Sequence, residues 1–252
     1  MTPPNLKSYL LNDFCHGFFL RQGGSSSGQF ESLNCDLKSL DDKHAVLANR
    51  EIVANNMGVT SKNLITLKQI HSSKVIKIES KLDSNTIEGD GMVTAKKGVV
   101  LGILTADCAP ILFAEKKASV IGVAHAGWRG AFDSIIENII RKMTELGAKE
   151  NHIVAAIGPC IQKENYEVGP EFLERFVRKN SKSKKFFNID NNQKIWFDLP
   201  GFILEKLKLV GVKSTNNLAK CTFSLSNDFF SHRRNKKNSL NDCGRMISTI
   251  RL

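Results

Sequence analysis

Residues 99–147 read VVLGILTADCAPILFAEKKASVIGVAHAGWRGAFDSIIENIIRKMTELG. Val99–Thr105, Ile111–Ala114 and Ser119–Ala124 are apolar runs of strand length, and Glu115-Lys116-Lys117-Ala118 is a plausible hairpin turn between the last two. Ala131, Phe132, Ile135, Ile136, Ile139, Ile140, Met143 and Leu146 then recur at helical spacing, with Gly147 as the stop. Buried strands followed by one strong amphipathic helix predict an α/β architecture. Outward from this stretch the alternation continues. An amphipathic helix is expected between Asp41 and Gly58, a strand over His152–Ile157, and a helix over Pro170–Lys179 with proline in its first turn. A strand over Lys194–Asp198 and a helix over Leu199–Leu209, ended by Gly211, complete the series. Gly23-Gly24-Ser25-Ser26-Ser27-Gly28 reads as a flexible loop.

The 252 residues, 41% hydrophobic and 24% charged, exclude a disordered, collagenous or coiled-coil chain and suit one globular domain over 1–252. No internal repeat or linker marks a boundary. Thirty-six Lys and Arg against 25 Asp and Glu leave a net charge of +11, which asks for an anionic partner without choosing among phosphate, nucleic acid and an anionic surface. The longest apolar run, Gly98–Ala106, is about half of the ~20 residues a membrane span needs. The N-terminus lacks the pattern of a secretory signal, so a cytoplasmic protein with six reduced cysteines is expected. No CxxC pair suggests a zinc knuckle.

Three segments set reactive side chains among small residues at predicted strand ends: Gln69-Ile70-His71, Ala106-Asp107-Cys108-Ala109-Pro110 and His125-Ala126-Gly127-Trp128-Arg129-Gly130. His71, Cys108 and His125 could ligate one metal ion with a fourth position open, or run Cys/His nucleophilic chemistry. Spacing alone does not bring them together, since 37 and 17 residues separate them, and a free cysteine is otherwise a small buried hydrophobe. Beside His125, Gly127 to Gly130 lead into the strong helix. Unpaired N–H groups and the Arg129 guanidinium there would suit an oxyanion or phosphate, or the glycines simply make a tight turn. Arg21 and the run Phe229 to Arg234 are further anion candidates, with a solvated basic surface as the plainer reading.

Taken in order, His16-Gly17, Arg21 with Gly23-Gly24 and Ser26, Ser32-Leu33-Asn34, Asn49-Arg50, the three segments above, Gly158-Pro159 and Tyr166 to Gly169 form a series. Asp198-Leu199, Cys221-Thr222, Phe229-Phe230-Ser231, Arg233-Arg234 and Gly244-Arg245 continue it. The series resembles, nearly end to end, the bacterial purine nucleoside phosphorylases once taken for multicopper polyphenol oxidases, the laccase-domain proteins. The resemblance implies a single mixed-sheet α/β domain with flanking helices, related to the cysteine hydrolase fold of the cytotoxic necrotizing factor type. It implies a zinc site at His71, Cys108 and His125, phosphorolysis of adenosine, inosine, guanosine and methylthioadenosine, and deamination of adenosine. Arg50 matches a family position near the substrate. The chain departs from the family's pattern at Gly89 and Gly91, where alanines are expected, and at His232, often a tyrosine.

On this reading a metal-activated water attacks C6 of adenine, Arg50, Arg129 and Arg233 face phosphate or ribose, and Asp107 is an acid/base or supporting group. The alternative enzyme is an amidase acting on peptide-like bonds of cell-wall precursors, with Cys108 as nucleophile and His125 as base. Copper is a weaker expectation than zinc, because six scattered histidines with no HxH pair do not suit a multicopper centre. A nucleic-acid binder would use Lys182, Lys184, Lys185, Arg233, Arg234, Lys236 and Lys237, with only Phe186, Phe187, Phe229 and Phe230 nearby to stack bases. The expected partners are therefore a purine nucleoside and phosphate, with no specific nucleic acid and no membrane. The full motif set in one chain predicts a monomer.

Overall fold

The apolar runs of the opening stretch form strands, but they separate into two sheets in the computed structural model, which describes residues 2–79 and 86–252. One sheet runs β1 (Asn5–Leu6), β2 (Cys15–Phe19), β14 (Met246–Arg251), β6 (Val100–Thr105) and β3 (Leu64–Ile65). The other runs β13 (Ser214–Asn217), β9 (Val154–Ile157), β7 (Ala109–Glu115), β8 (Val120–Ala126), β5 (Gly91–Thr94) and β4 (Val75–Lys77). The three residues Ala106, Asp107 and Cys108 thus carry the chain from the end of β6 in one sheet to the start of β7 in the next. A small third sheet joins β10 (Glu167–Val168), β12 (Ile195–Phe197) and β11 (Phe187–Ile189). Pairing is mixed: β7 and β8 form the expected antiparallel hairpin, whereas β3 runs parallel to β6, and β4 parallel to β5.

The two large sheets lie face to face. Leu112, Ala114, Ile121 and Val123 of β7 and β8 pack with Leu101, Ile103 and Ile250 of the other sheet. Ile111, Phe113 and Ala124 on the opposite face meet Ile135, Ile136, Ile139, Ile140 and Met143 of α3 (Ile135–Thr144) and Leu199, Ile203 and Leu207 of α5 (Leu199–Leu209). Both faces of β7 and β8 are therefore covered, which is why their sequences are continuous apolar runs rather than alternating ones. Each fully buried Leu, Ile, Val, Phe or Met side chain among them contributes about 1.5–3 kcal/mol of burial free energy. Val53 and Ala54 of α1 (Lys43–Asn56) and Met57, its C-cap, cover the outer face of the first sheet through Val100 and Ile247.

Several predicted elements hold: α1 is capped by Asp42, whose side chain accepts from the Ala45 N–H, and α4 (Pro170–Lys179) and α5 occupy their expected spans. The helix predicted from Ala131 to Leu146 is instead two helices, α2 (Trp128–Phe132) and α3, broken at Asp133 and Ser134. Ser134 sits at φ 77°, a left-handed conformation that cannot propagate an α-helix. The Gly/Ser segment is a loop, yet a fixed one. Asn49 of α1 accepts from the Ser25 N–H and donates to Ser26 Oγ and to the Ser32 and Asn34 carbonyls. Among the described residues no helix is long and apolar enough to cross a membrane.

Candidate active site

The site is organised by a carboxylate. Asp90, fully buried just before β5, accepts from the backbone N–H groups of Ile70 (3.3 Å), His71 (3.0 Å) and Ser72 (2.6 Å) and from Ser72 Oγ (2.7 Å). These bonds hold the 70–72 loop, in which His71 adopts φ 59°. A non-glycine residue in that region persists only where its surroundings impose it. Gln69 pins the same loop from the other side, donating to the Leu104 carbonyl (2.7 Å) and accepting from the Leu104 N–H (2.8 Å). Asp90 also accepts from His125 Nδ1 at 2.8 Å. That bond orients the His125 ring and leaves Nε2 as the nitrogen that meets Cys108.

His125, buried on β8, Cys108, half-buried at the start of β7, and His71, exposed, present their ligand atoms within 4.8 Å of one another. Cys108 Sγ lies 3.8 Å from His71 Nε2, and the two imidazole rings meet edge-on with centroids 4.7 Å apart. Gly127 makes this approach possible, because a Cβ there would fall 2.9 Å from Cys108 Sγ and 3.1 Å from His71 Cδ2. Burial pushes the Cys108 thiol up, but the His125 charge and hydrogen bonds from both histidines outweigh it and hold the thiol below its ordinary value. Burial likewise lowers His125, and Cys108 and Asp90 more than restore it, so the imidazolium is favoured. Asp90, raised by burial, is brought down to about 2 by its bonds to His125 and Ser72. Two imidazoles and a thiolate, one of them backed by a carboxylate, are a donor set that fits a metal ion with a position left open. Among the described residues this is the one such group of three or more.

The group lines a cavity of about 390 Å³ between the ends of the two sheets, within the size range of small-molecule sites. Arg50 and Arg233 line it; Arg129 does not. Arg129 is exposed, its guanidinium over the Trp128 ring, and the helix that follows Gly127 is only five residues long. Arg50 is buried and donates to the Cys35 carbonyl and Thr66 Oγ1. Arg233 donates to the Glu167 carbonyl at 2.9 Å and lies over Tyr166. Asp107 lines the cavity, but its carboxylate is occupied, accepting from Thr222 Oγ1 (2.7 Å), Ser231 Oγ (3.0 Å) and the Arg233 N–H (2.7 Å). It anchors the C-terminal segments to the loop that carries Cys108.

Other anion candidates serve the structure. Arg21 donates to the Glu31 and Ser226 carbonyls and lies over Phe230, and Arg234 donates to the carbonyls of Thr222, Phe223 and Phe229. Phe229 and Phe230 are buried, and Phe186 and Phe187 pack against the core. At the positions that depart from the family's pattern, a Cβ on Gly89 would lie 3.1 Å from Ile76 and one on Gly91 3.0 Å from Val75, so a methyl group at either position would press on an aliphatic neighbour. His232 is exposed at the cavity wall, where partial desolvation and the Arg245 charge lower its pKa.

The sequence pattern points to His71, Cys108 and His125 and not to Asp90. Its available signal was a carboxylate between two glycines, Gly89 and Gly91, at the start of a strand.

Residues 15–252 match the family described as multi-copper polyphenol oxidoreductase laccase. The chain belongs to that family. Members named purine nucleoside phosphorylase include one from Rickettsia conorii, 38% identical over 73% of this chain and 78% of its own length. Another, from Deinococcus radiodurans, is 35% identical over 94% and 88%. A crystal structure from Neisseria meningitidis superposes with a TM-score of 0.89 at 29% identity, covering 100% of this chain and 99% of that one. YlmD from Geobacillus stearothermophilus gives 0.88 at 28% identity, covering 97% and 93%.

Proposed function

We propose that the protein is a purine nucleoside phosphorylase that also deaminates adenosine, at a zinc site formed by His71, Cys108 and His125. The observation that carries this reading is the convergence of those three donors on the wall of a nucleoside-sized cavity. The names borne by the relatives support the phosphorolysis. A zinc ion held there supplies Lewis acidity that activates water near neutral pH.

In deamination the oxygen of water replaces the C6 amino group and ammonia leaves. In phosphorolysis a phosphate oxygen bonds to the ribose C1′ as the C1′–N9 bond breaks. The electron pair departs with the purine, which takes a proton to leave as the free base, and ribose 1-phosphate is the second product. Asp90 keeps His71 and His125 in position for both reactions, and Arg50 and Arg233 supply positive charge to the cavity wall. Asp107 and Arg129, considered for substrate contacts on sequence grounds, are left as an anchor and a surface residue.

A second reading, a cysteine amidase with the related hydrolase fold, is favoured by one observation: Cys108, His125 and Asp90 form a nucleophile, base and orienting carboxylate. Incubation of purified protein with adenosine, with and without phosphate, separates the two. Adenine is expected only with phosphate and inosine in either case, with both lost in His71→Ala and Cys108→Ala. Absence of product from the wild type, or undiminished product from these variants, rejects the phosphorylase reading.

A further inference from the structure

All six cysteines are free thiols, and two of them, Cys160 and Cys221, stand opposite each other. The parallel pairing of β9 with β13 ends at Ile157 and Asn217 and resumes, one residue out of step, at Cys160 and Cys221. There the Cys160 N–H donates to the Lys220 carbonyl and the Thr222 N–H to the Cys160 carbonyl, each at 3.2 Å. This is one rung of a parallel ladder, so the two cysteine side chains leave the same face. Neighbouring strands lie about 4.7–4.9 Å apart, inside the roughly 4.4–6.8 Å between Cα atoms that a disulfide spans.

The two thiols differ in their surroundings. Cys221 is half-buried, and its Sγ accepts from Asn165 Nδ2 at 3.4 Å. Burial pushes this thiol up, but the N–H groups of Gln162, Ser224 and Phe223 and the Ser224 hydroxyl outweigh it and hold the thiol below its ordinary value. Cys160 is fully buried, accepts from Gln162 Nε2 at 3.3 Å, and is driven up by burial and by the charge of Cys221. A partly exposed thiol in a cradle of donors, with a buried thiol opposite, is the arrangement of a reactive cysteine and its resolving partner. Cys15, also half-buried, meets Met57 Sδ at 3.9 Å instead of a second thiol.

We propose that Cys221 and Cys160 form an intramolecular disulfide when the protein meets hydrogen peroxide. The Cys221 thiolate attacks the peroxide, so that an S–O bond forms as the O–O bond breaks, and the departing hydroxide takes up a proton to become water. The Cys160 sulfur then attacks the sulfenic sulfur of Cys221. The S–S bond forms as the S–O bond breaks, and the hydroxyl leaves with the Cys160 proton as a second water. Two thiols are oxidised by two electrons, and one peroxide is reduced to two waters. The bond falls behind the loop that carries Cys108. Ile161, next to Cys160, donates its N–H to the Asp107 carbonyl at 2.9 Å, and Thr222, next to Cys221, donates Oγ1 to the Asp107 carboxylate at 2.7 Å. Oxidation therefore joins covalently the two segments that hold Asp107, whatever reaction the neighbouring site performs.

The test treats the folded full-length protein with one equivalent of hydrogen peroxide, with and without added zinc. The remaining thiols are counted and blocked with N-ethylmaleimide, and the unreduced tryptic peptides are mapped by mass spectrometry. Loss of two of the six thiols is expected, together with a cross-linked pair of peptides carrying Cys160 and Cys221 that dithiothreitol releases. Cys160→Ala should lose the cross-link and leave Cys221 as a sulfenic acid that dimedone captures. Cys221→Ser, at the half-buried position, should lose the cross-link and leave Cys160 unoxidised, which keeps the test readable should Cys160→Ala fold poorly. Retention of all six thiols even in excess peroxide overturns the proposal. So does thiol loss that maps to Cys108 or to a bond between chains instead, or a Cys160–Cys221 cross-link seen only after unfolding in urea.

Discussion

Cys108 differs from the buried thiols Cys35 and Cys243 in what surrounds it. Cys35 and Cys243 have no imidazole partner, and burial drives them up to about 12 and about 11, against the pull of Arg50 and Arg245 respectively. Cys108 is pulled the other way by His125 and His71. A thiol lowered in this manner is thiolate-rich on the alkaline side of its own pKa and loses that form as the pH falls through it. In metal-free protein, alkylation of Cys108 by iodoacetamide should therefore level off at a lower pH than that of a free cysteine, while Cys35 and Cys243 stay unreacted; mass spectrometry of the labelled peptides reads this. Adding zinc should protect Cys108 under the phosphorylase reading. A trapped acyl adduct on Cys108 after incubation with a peptide-like substrate would favour the amidase instead. At this scale the sequence displayed the three reactive residues, because reactive types among small neighbours are conspicuous. Asp90 escaped notice because its importance lies in five donors that come from the 70–72 loop and from His125, and spacing does not show them.

Helices and strands were mostly legible, since their apolar positions follow the period of the element they form. The break between α2 and α3 was not, because Asp133 and Ser134 occupy outward positions and both helices present their apolar side chains to the same core. Periodicity cannot register an interruption that leaves the buried face in step. Ser134 holds φ 77° and its side chain makes no capping bond to α3, so Ser134→Gly removes a conformational penalty without removing a cap. It should stabilise the protein by about 1 kcal/mol, raising Tm by roughly 2–4 °C in a thermal melt. An unchanged or lowered Tm would show that the serine side chain contributes something at the break.

At the scale of the molecule, Asp107 ties together what the chain keeps far apart, joining the sheet-crossing loop to Thr222, Ser231 and Arg233. Asp107→Ala leaves these donors unpaired and should cost about 3 kcal/mol or more, lowering Tm by roughly 10 °C. Full stability with lost activity would instead return Asp107 to the chemistry. The sequence by itself determined the α/β class and most of the elements, and it displayed His71, Cys108 and His125 as reactive residues, because these depend on local periodicity and on residue chemistry. Only the tertiary structure decided that the strands divide between two facing sheets, with Ala106 to Cys108 as the crossing. It also decided that Arg129 stays outside the cavity while Arg245 and Thr105 line it. Those outcomes rest on which surfaces bury against one another, and contacts between residues more than a hundred positions apart leave no periodic trace in the chain.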